Sequence, residues 1–257
     1  MNKDDICWLS EIYSAIQGEG PLIGVRQIFV RFSVCDLRCV WCDTPESLIK
    51  NEFCIVEESI SSRKFQKIEN PINKSDLLSF IRQLSPDSHH SISLTGGEPL
   101  LQSAFLNNFL PLIKKTFSLP IYLETGGHRP KELNKIINLL DYISMDFKLP
   151  SSANTEVLWD KHKEFLEVSL KAKHLQNMWI KIVITKNTLF DELIYSVNLI
   201  KSVYPENAPE IILQPVSKIN DVIPPGEFEL LDIQKKLLNI YPNIRVIPQV
   251  HKLIGQR

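Results

Sequence analysis

The stretch CDLRCVWC, residues 35–42, holds three of the five cysteines in this chain of 257 residues. Thiolates are soft ligands that suit zinc, copper(I) and iron–sulfur clusters. Three residues separate Cys35 from Cys39 and two separate Cys39 from Cys42, so one loop can wrap a single metal centre. Three ligands leave a coordination position open, as a metal needs if it is to bind a substrate or cofactor directly.

The composition is that of an ordinary globular protein, with 44% hydrophobic and 23% charged residues. Its 29 basic and 30 acidic residues give a net charge of −1, so no overall field recruits nucleic acid or an anionic membrane. The start of the chain has no apolar signal segment, and no apolar run approaches about 18 residues. Clustered cysteines favour metal ligation in a reducing compartment over a disulfide framework. We therefore expect a soluble, cytoplasmic protein with no nucleic-acid or membrane partner.

Short apolar runs alternate with longer segments of helical period, which predicts βα units around a parallel sheet. Six or so units are too few for a closed eight-stranded barrel, so the predicted fold is α/β, a partial (βα)6-type TIM barrel. We find no repeat or low-complexity linker and expect a single domain over residues 1–257. Predicted strands cover residues 28–32, 91–94, 121–123, 142–145, 179–184, 211–213 and 244–247, and predicted helices cover 75–84, 104–116, a segment after Pro130, 155–173, 189–203 and 228–238.

One segment of the chain does not fit the regular alternation of strands and helices. The segment from about 46 to 73 is longer than a tight βα connection, and it is either a lid or a specificity insertion.

Polar clusters fall at the carboxyl ends of the predicted strands, where parallel sheets place their chemistry. These clusters are TGGEP at 95–99, ETGGH at 124–128, DFKLP at 146–150 and QPVS at 214–217.

The cysteine stretch, with the aromatic Trp41 before its last cysteine, resembles the signature of the radical S-adenosylmethionine (SAM) superfamily. Together with QGEG at 17–20, FVR at 29–31 and WCDT at 41–44, it resembles the 7-carboxy-7-deazaguanine synthase family. The resemblance implies a 4Fe–4S cluster on Cys35, Cys39 and Cys42 whose open iron binds SAM. A radical made from SAM would then abstract a hydrogen from 6-carboxy-5,6,7,8-tetrahydropterin. Ring contraction and loss of ammonia would give 7-carboxy-7-deazaguanine, in queuosine and deazapurine biosynthesis.

The resemblance implies a set of substrate contacts: Ile16, Gln17, Gly18, Glu19, Arg31, Thr95, His251 and Arg257. On its own the glycine pair in QGEG favours a simple turn. The Arg31 guanidinium suits bidentate pairing with the substrate carboxylate, and the alternative is a surface ion pair. Similar enzymes fold a tail like residues 249–257 back on the site, with the terminal carboxylate on the substrate. The alternative for His251 is a structural histidine.

The SAM contacts implied in the same way are Trp41, Cys42, Asp43, Gly97, Glu98, Asp146, Phe147, Lys148, Gln214, Pro215, Val216 and Ser217. Glu98 can offset the ammonium charge of SAM, and the alternative is a Gly-Pro turn. Relatives read SPK where this chain has residues 146–148, and the Gln-Pro pair would otherwise indicate only a turn. Thr44 matches a residue that coordinates Mg²⁺; for Asp43 and Thr44 the alternative is helix capping.

Relatives usually carry a run like ETNGT where residues 124–128 read ETGGH, so Gly126 and His128 depart from the pattern. We expect His128 to be a solvent-exposed loop histidine without a role. Cys7 and Cys54 have no partner at ligand spacing and are expected to be inert, partly buried thiols. No general base stands out among the residues.

Two alternatives stay open on the residues alone. A glycyl-radical activase more often reads YCHN after the middle cysteine, and the WCDT run counts against it. A zinc-binding interaction module needs four closed ligands, and neither Cys54 nor a histidine lies at finger-like spacing. A nucleic-acid module would also show a basic stripe, which this chain lacks. The expected partners are a pterin substrate, an electron donor such as flavodoxin or ferredoxin, and a second copy in a homodimer.

Overall fold

A computed structural model describes residues 3–256 and shows a ten-stranded sheet with helices packed against it. The strands are β1 (Ile6–Cys7), β2 (Leu9–Ile16), β3 (Arg26–Phe32), β4 (Phe53–Glu57), β5 (Phe65–Glu69), β6 (Ile72–Asn73), β7 (Ser91–Gly96), β8 (Ile121–Thr125), β9 (Tyr142–Asp146), β10 (Asn177–Ile184), β11 (Glu210–Pro215) and β12 (Ile244–Val246). The helices are α1 (Lys74–Gln83), α2 (Ser103–Thr116), α3 (Pro130–Ile136), α4 (Pro150–Ala153), α5 (Trp159–Ser169), α6 (Phe190–Val203), α7 (Glu227–Leu238) and α8 (Val250–Leu253).

The sheet has the parallel centre that the alternating pattern predicts. Strands β3, β7, β8, β9, β10, β11 and β12 lie side by side in that order, and each is parallel to its neighbours. Helices cross over between most of these strands, and the two outer strands of the ten-stranded sheet, β12 and β5, are not paired with each other. The partial-barrel prediction is therefore confirmed: the strands follow barrel order, but the sheet stays open.

The other end of the sheet differs from the prediction. Strand β2 pairs antiparallel with β3, and β4 and β5 form an antiparallel pair that extends the sheet beyond β2. The segment from about 46 to 73 thus contains the ordered strands β4, β5 and β6, and β5 is an edge strand of the ten-stranded sheet. No strand was predicted over residues 9–16, and the helix predicted from residue 155 begins at Trp159.

The main core lies between the sheet and its helices. Cys7 and Cys54 are fully buried in it, more deeply than the partly buried state expected from the sequence. Burial raises the pKa of both thiols, which fits inert side chains. Pro130 begins α3, as predicted for a first-turn proline. None of the helices within residues 3–256 is long and apolar enough to cross a membrane.

A smaller cluster on the inner face of the sheet supports the functional site. Tyr122, Trp179 and Ile212 are at most 1% exposed and pack together there; we call these three residues the apolar floor. Successive side chains of a strand alternate between the two faces, so residues two positions further on share the inner face. That rule places Glu124, Lys181 and Gln214 one layer above the apolar floor, toward the carboxyl ends of their strands.

Candidate active site

A cavity of about 420 Å³ opens above the apolar floor at the carboxyl ends of the parallel strands. Most residues predicted from the sequence line it, namely Ile16, Gln17, Gly18, Glu19, Arg31, Cys35, Cys39, Trp41, Cys42, Asp43, Thr44, Thr95, Gly97, Glu98, Asp146, Lys148, Gln214, Val216, Ser217 and His251. Arg257 lies outside the described residues. Segments far apart in the chain therefore meet at one site, as the strand-end rule predicts.

Phe147 and Pro215 are not part of the cavity wall. The Phe147 side chain is fully buried in the core, with its ring centroid 4.2 Å from that of His162. Alternation along the chain explains this, because the neighbours Asp146 and Lys148 both line the cavity. The predicted SAM contact of Phe147 therefore does not involve its side chain.

The three cysteines of the loop over residues 35–42 lie along one wall of the cavity. All three are free and partly buried. Burial raises the pKa of the Cys35 thiol to about 11, and burial also raises the pKa of the Cys39 thiol. Ligation by metal ions would reverse this effect, because bound thiolates lose their protons.

Neighbouring segments fix the position of this loop. The amide of Val40 donates to the carbonyl of Ala153 at 3.0 Å, and Trp41 Nε1 donates to Ser152 Oγ at 3.2 Å. Asp36 accepts from His128 Nε2 at 2.8 Å and from Arg129. Burial by itself would raise the pKa of Asp36, but His128 and Arg129 outweigh it and hold that pKa well below its usual range. The loop is therefore anchored on both sides.

His128 corrects a prediction from the sequence. It was expected to be exposed, yet only 4% of the residue is accessible to solvent. Its partner Asp36 lies 92 residues earlier in the chain, so no local pattern could reveal the contact. The His128 side chain helps to hold the cysteine loop in place through its hydrogen bond to Asp36.

Glu98 is 1% exposed, and donors of the protein surround its carboxylate. It accepts from the amide of Leu100 at 3.1 Å, from Thr125 Oγ1 at 2.8 Å and from the amide of Gly126 at 2.9 Å. The amide of its neighbour Gly97 donates to Phe32 at 2.9 Å. Glu98 thus ties the turn after β7 to the end of β8, and its predicted contact with the SAM ammonium group stays a prediction.

A row of charged side chains crosses the cavity above the apolar floor. Lys181 Nζ lies 2.5 Å from Glu19 Oε2 and 3.4 Å from Asp146 Oδ2, and Lys148 Nζ lies 2.8 Å from the same Asp146 oxygen. Lys148 also lies 4.1 Å from the ring centroid of Trp41, a cation–π distance. Two lysines therefore neutralise the carboxylate that stands where relatives carry a serine.

These pairs shift the ionisation of their members. Burial alone would raise the pKa of Glu19, but the charge and hydrogen bond of Lys181, the hydrogen bond from Gln249 and the nearby His251 lower it to about 2. Burial alone would lower the pKa of Lys181, but Glu19 and Asp146 raise it well above its usual range. Both groups are therefore charged at neutral pH.

A second polar group lies beside the first strands. Arg31 donates to Tyr13 Oη at 2.7 Å and to Glu11 at 3.2 Å, and these two neighbours hold its pKa above the usual range although burial opposes them. Gln17 and Thr95 both donate to Glu124, each at 2.9 Å. Arg31 is therefore a largely buried cation facing the cavity; its ion pair with Glu11 lies in the cavity wall and not on the open surface, and its contact with a substrate carboxylate stays a prediction.

The end of the chain closes the cavity. The amide of Val250 donates to the carbonyl of Gly18 at 2.9 Å, and a Cβ at residue 18 would lie only 2.4 Å from that of His251. Gln249 donates to Glu19 at 2.7 Å and to Asp43 at 3.1 Å, and Lys252 pairs with Asp43 at 3.1 Å. The tail thus spans the QGEG segment and the residues after the last cysteine.

Two buried oxygens in the cavity fit a bound ligand. Asp146 Oδ1 and Gln214 Oε1 are buried and accept no hydrogen bond from the part of the chain that the structure describes. Buried polar atoms are normally satisfied, so these acceptors suit the hydroxyl or amino groups of a nucleoside. Within residues 3–256 no three His, Cys, Asp or Glu side chains converge on one metal position. A 4Fe–4S cluster takes one thiolate at each of three irons, and the three free cysteines of the loop supply that donor set.

Comparison with known proteins decides the family. Residues 29–200 match the sequence profile of the Radical SAM superfamily. The chain is 37% identical over 251 residues to the 7-carboxy-7-deazaguanine synthase of Geobacter sulfurreducens, with 96% of this chain and 97% of that protein covered. It is 32% identical over 253 residues to the protein of the same name from Archaeoglobus fulgidus, with 97% and 98% covered. The chain belongs to the 7-carboxy-7-deazaguanine synthase family.

Solved structures agree on the fold. The crystal structure of QueE from Escherichia coli superposes with a TM-score of 0.61 at 21% identity, with 95% of this chain and 94% of that chain covered. Streptococcus suis SuiB superposes with a TM-score of 0.56 at 14% identity, over 95% of this chain and 50% of that chain. As a member of the 7-carboxy-7-deazaguanine synthase family this protein is a radical SAM enzyme, which excludes the zinc module, and membership of this particular family excludes the activase. Superfamily membership brings a 4Fe–4S cluster and SAM as its cofactors.

Sequence reasoning missed several cavity residues of this family member. Glu11, Glu124 and Lys181 line the cavity but received no role from the motifs. Lys181 had a signal that could have found it, because it is the one charge within the apolar run of β10. A lysine flanked by buried residues in a central strand needs an anionic partner, and Glu19 and Asp146 supply it.

Proposed function

We propose that this enzyme converts 6-carboxy-5,6,7,8-tetrahydropterin to 7-carboxy-7-deazaguanine with loss of ammonia, a step of queuosine and deazapurine biosynthesis. The observation that carries the proposal is whole-length similarity to proteins named for that product, at 37% identity over 96% of the chain. The cavity supports it, since the segments expected to bind substrate and those expected to bind cofactor line one space.

The substrate half of the site would be built from residues 16–19 with Arg31, Thr95, His251 and Arg257. The Arg31 guanidinium is held in place by Tyr13 and Glu11 and would pair with the substrate carboxylate. Glu124 accepts from both Gln17 and Thr95, so a carboxylate faces the region where the polar pterin ring would lie. The layer beneath is the apolar floor, which excludes water from that side.

The cofactor half would be built on Cys35, Cys39 and Cys42, which hold the cluster in this proposal. When bound, the cluster and SAM supply the radical that starts the reaction. The chain itself would orient SAM through Trp41, Asp43 and Gly97 and through the strand-end segments 146–148 and 214–217. The unpaired acceptors Asp146 Oδ1 and Gln214 Oε1 support this placement.

We assign a Mg²⁺ site to Thr44. Its side chain lines the cavity and makes no capping hydrogen bond to the short helix that follows, Pro45–Leu48. A single hydroxyl is a poor Mg²⁺ site by itself, so water ligands and substrate oxygens would complete the coordination. There the ion would hold the substrate carboxylate.

The remaining expectations about partners stay predictions. An electron donor such as flavodoxin or ferredoxin would supply the reducing electron, and the enzyme would act as a homodimer. The cytoplasmic location and the single domain over residues 1–257 are likewise predictions from the sequence.

The test is turnover by the anaerobically reconstituted protein with SAM, a reductant, Mg²⁺ and 6-carboxytetrahydropterin. Formation of both 5′-deoxyadenosine and the deazapurine product supports the proposal. Formation of 5′-deoxyadenosine without deazapurine would refute the substrate, and a chain that forms no cluster would refute the whole assignment. Cys42→Ala should abolish both products. Its matched control is Cys54→Ala, which removes a fully buried thiol outside the cavity.

A further inference from the structure

The loop after β8, residues 126–129, connects two parts of the site that are otherwise separate. At its start, the amide of Gly126 donates to Glu98 Oε2 at 2.9 Å. At its end, His128 and Arg129 both bind the Asp36 carboxylate in the cysteine loop. The loop therefore relates the turn at Glu98 to the wall that carries the cysteines.

His128 occupies the space between these two segments. Its Nε2 lies 2.8 Å from Asp36 Oδ1, and since a carboxylate can only accept, Nε2 is the donor. Its Nδ1 lies 3.9 Å from Glu98 Oε2 and makes no hydrogen bond within residues 3–256. The side chain is only 2% exposed. The imidazole thus acts as a spacer of fixed width between Asp36 and Glu98.

Gly126 is required by this arrangement. A Cβ at residue 126 would lie 2.9 Å from His128 Nδ1 and 3.3 Å from its Cε1. The imidazole cannot swing away without losing its bond to Asp36. A side chain at 126 and a histidine at 128 that keeps its bond to Asp36 therefore compete for the same space.

We propose that His128 is a positioning residue that holds the cysteine loop at a set distance from Glu98, with Gly126 as its obligatory partner. In that position it sets where the cysteine loop lies relative to Glu98, the residue expected to bind the ammonium group of SAM. This inference rests on the proposed function, because it uses the cofactor half of the site.

The first test is a double-mutant cycle on the cluster-free protein, which needs no activity. Gly126→Asn alone should lower the thermal midpoint by roughly 4 °C through overpacking. In the double variant Gly126→Asn/His128→Thr the midpoint should fall by clearly less than the sum of the two single losses, because threonine leaves room for the new side chain. Additive effects of the two substitutions would overturn the coupling.

The second test uses the reconstituted enzyme. His128→Thr should raise the KM for SAM on the order of ten-fold and speed cluster loss to a chelator, as expected for a buried charge-assisted hydrogen bond. The kcat at saturating SAM should change less than the KM. His128→Gln should stay within about two-fold of wild type, because its amide N–H can replace the Nε2 donor. Arg129→Ala removes the more exposed Asp36 contact and serves as the control.

An unchanged KM for SAM and an unchanged rate of cluster loss in His128→Thr would refute the positioning role. Equal damage in His128→Gln and His128→Thr would also refute it, since the bond to Asp36 would then be irrelevant. Failure of the proposed function is separate: wild-type protein would not form deazapurine, while the cycle on the cluster-free protein would still report the coupling.

Discussion

Replacing Lys181 by methionine tests whether the charges on the cavity floor are held as pairs. The change keeps the length of the side chain but leaves Glu19, whose side chain is 16% exposed, without its cation. The pKa of Glu19 is about 2 against an ordinary 4.5, and at about 1.4 kcal/mol per pH unit this net shift, which includes the opposing effect of burial, corresponds to about 3 kcal/mol of stability at neutral pH. Loss of one member of a buried pair typically costs a similar amount.

The pH dependence follows from the direction of this shift. A carboxyl with a lowered pKa in the folded state stabilises the wild type above pH 4.5, and that stabilisation is lost as the pH falls toward 2. In Lys181→Met burial raises the pKa of Glu19, so the variant loses stability as the pH rises. Asp146 keeps Lys148 as its partner, while Glu19 keeps only Gln249 and His251. The gap between the two proteins should therefore widen from about pH 5 to about pH 8.

The assay is thermal unfolding of the cluster-free protein at both pH values. At about 2 °C per kcal/mol for a chain of this length, the midpoint at the higher pH should fall by roughly 6 °C. Glu19→Gln combined with Lys181→Met should recover part of this loss, because no unpaired charge is then buried. Lys252→Met, which breaks the half-exposed pair with Asp43, should change little. Equal midpoints for wild type and Lys181→Met at both pH values would contradict the pairing.

Two further predictions concern the substrate half. Arg31→Lys keeps the charge but loses the planar guanidinium fork, so the KM for the pterin should rise at least about ten-fold while the KM for SAM stays unchanged. Steady-state kinetics with each substrate varied in turn would measure both values. Equal rises in the two KM values would argue against a contact between Arg31 and the substrate carboxylate. Gly18→Ala places a Cβ 2.4 Å from that of His251, so the tail should detach and become sensitive to limited proteolysis. In the control Gly226→Ala the new Cβ meets nothing within 4 Å, so cleavage should be unchanged. A tail that stays protected in Gly18→Ala would contradict its docking on the QGEG segment.

The sequence was most informative where local pattern determines structure. Most of the parallel strands, such as β10 and β11, are near-continuous apolar runs separated by helical segments, and their positions follow from that alternation. The helix predicted from residue 155 begins four residues later, at Trp159. Such an error at a helix end is ordinary, because the ends depend on local capping.

Strand β2 shows where pattern fails. Its sequence LSEIYSAI mixes polar and apolar residues, yet seven of its eight residues are buried. The polar ones are satisfied by distant partners: Glu57 accepts from the amide of Ser14, and Glu11 pairs with Arg31. Burial of this kind depends on groups far away in the chain, which no local window contains.

In the site, too, residues within local motifs could be predicted, and residues that depend on distant partners could not. Motifs located the cysteines and the strand-end clusters, and most of those residues line the cavity. The motifs gave no role to Lys181 and placed His128 wrongly on the surface. Lys181 binds Glu19, 162 positions away in the chain, and His128 binds Asp36, 92 positions away. In both cases the partner is a carboxylate that the sequence does not place in space.

The docking of the tail has a consequence for how molecules reach the cavity. Helix α8 has no buried residue, and the tail is fastened mainly by contacts at Gly18, Glu19 and Asp43. Regions with few buried contacts open at a small fraction of the free energy of global unfolding. The tail can therefore lift and reseat while the strands and their charged pairs stay in register. Entry of substrate and release of product then need a hinge of a few residues and no rearrangement of the sheet.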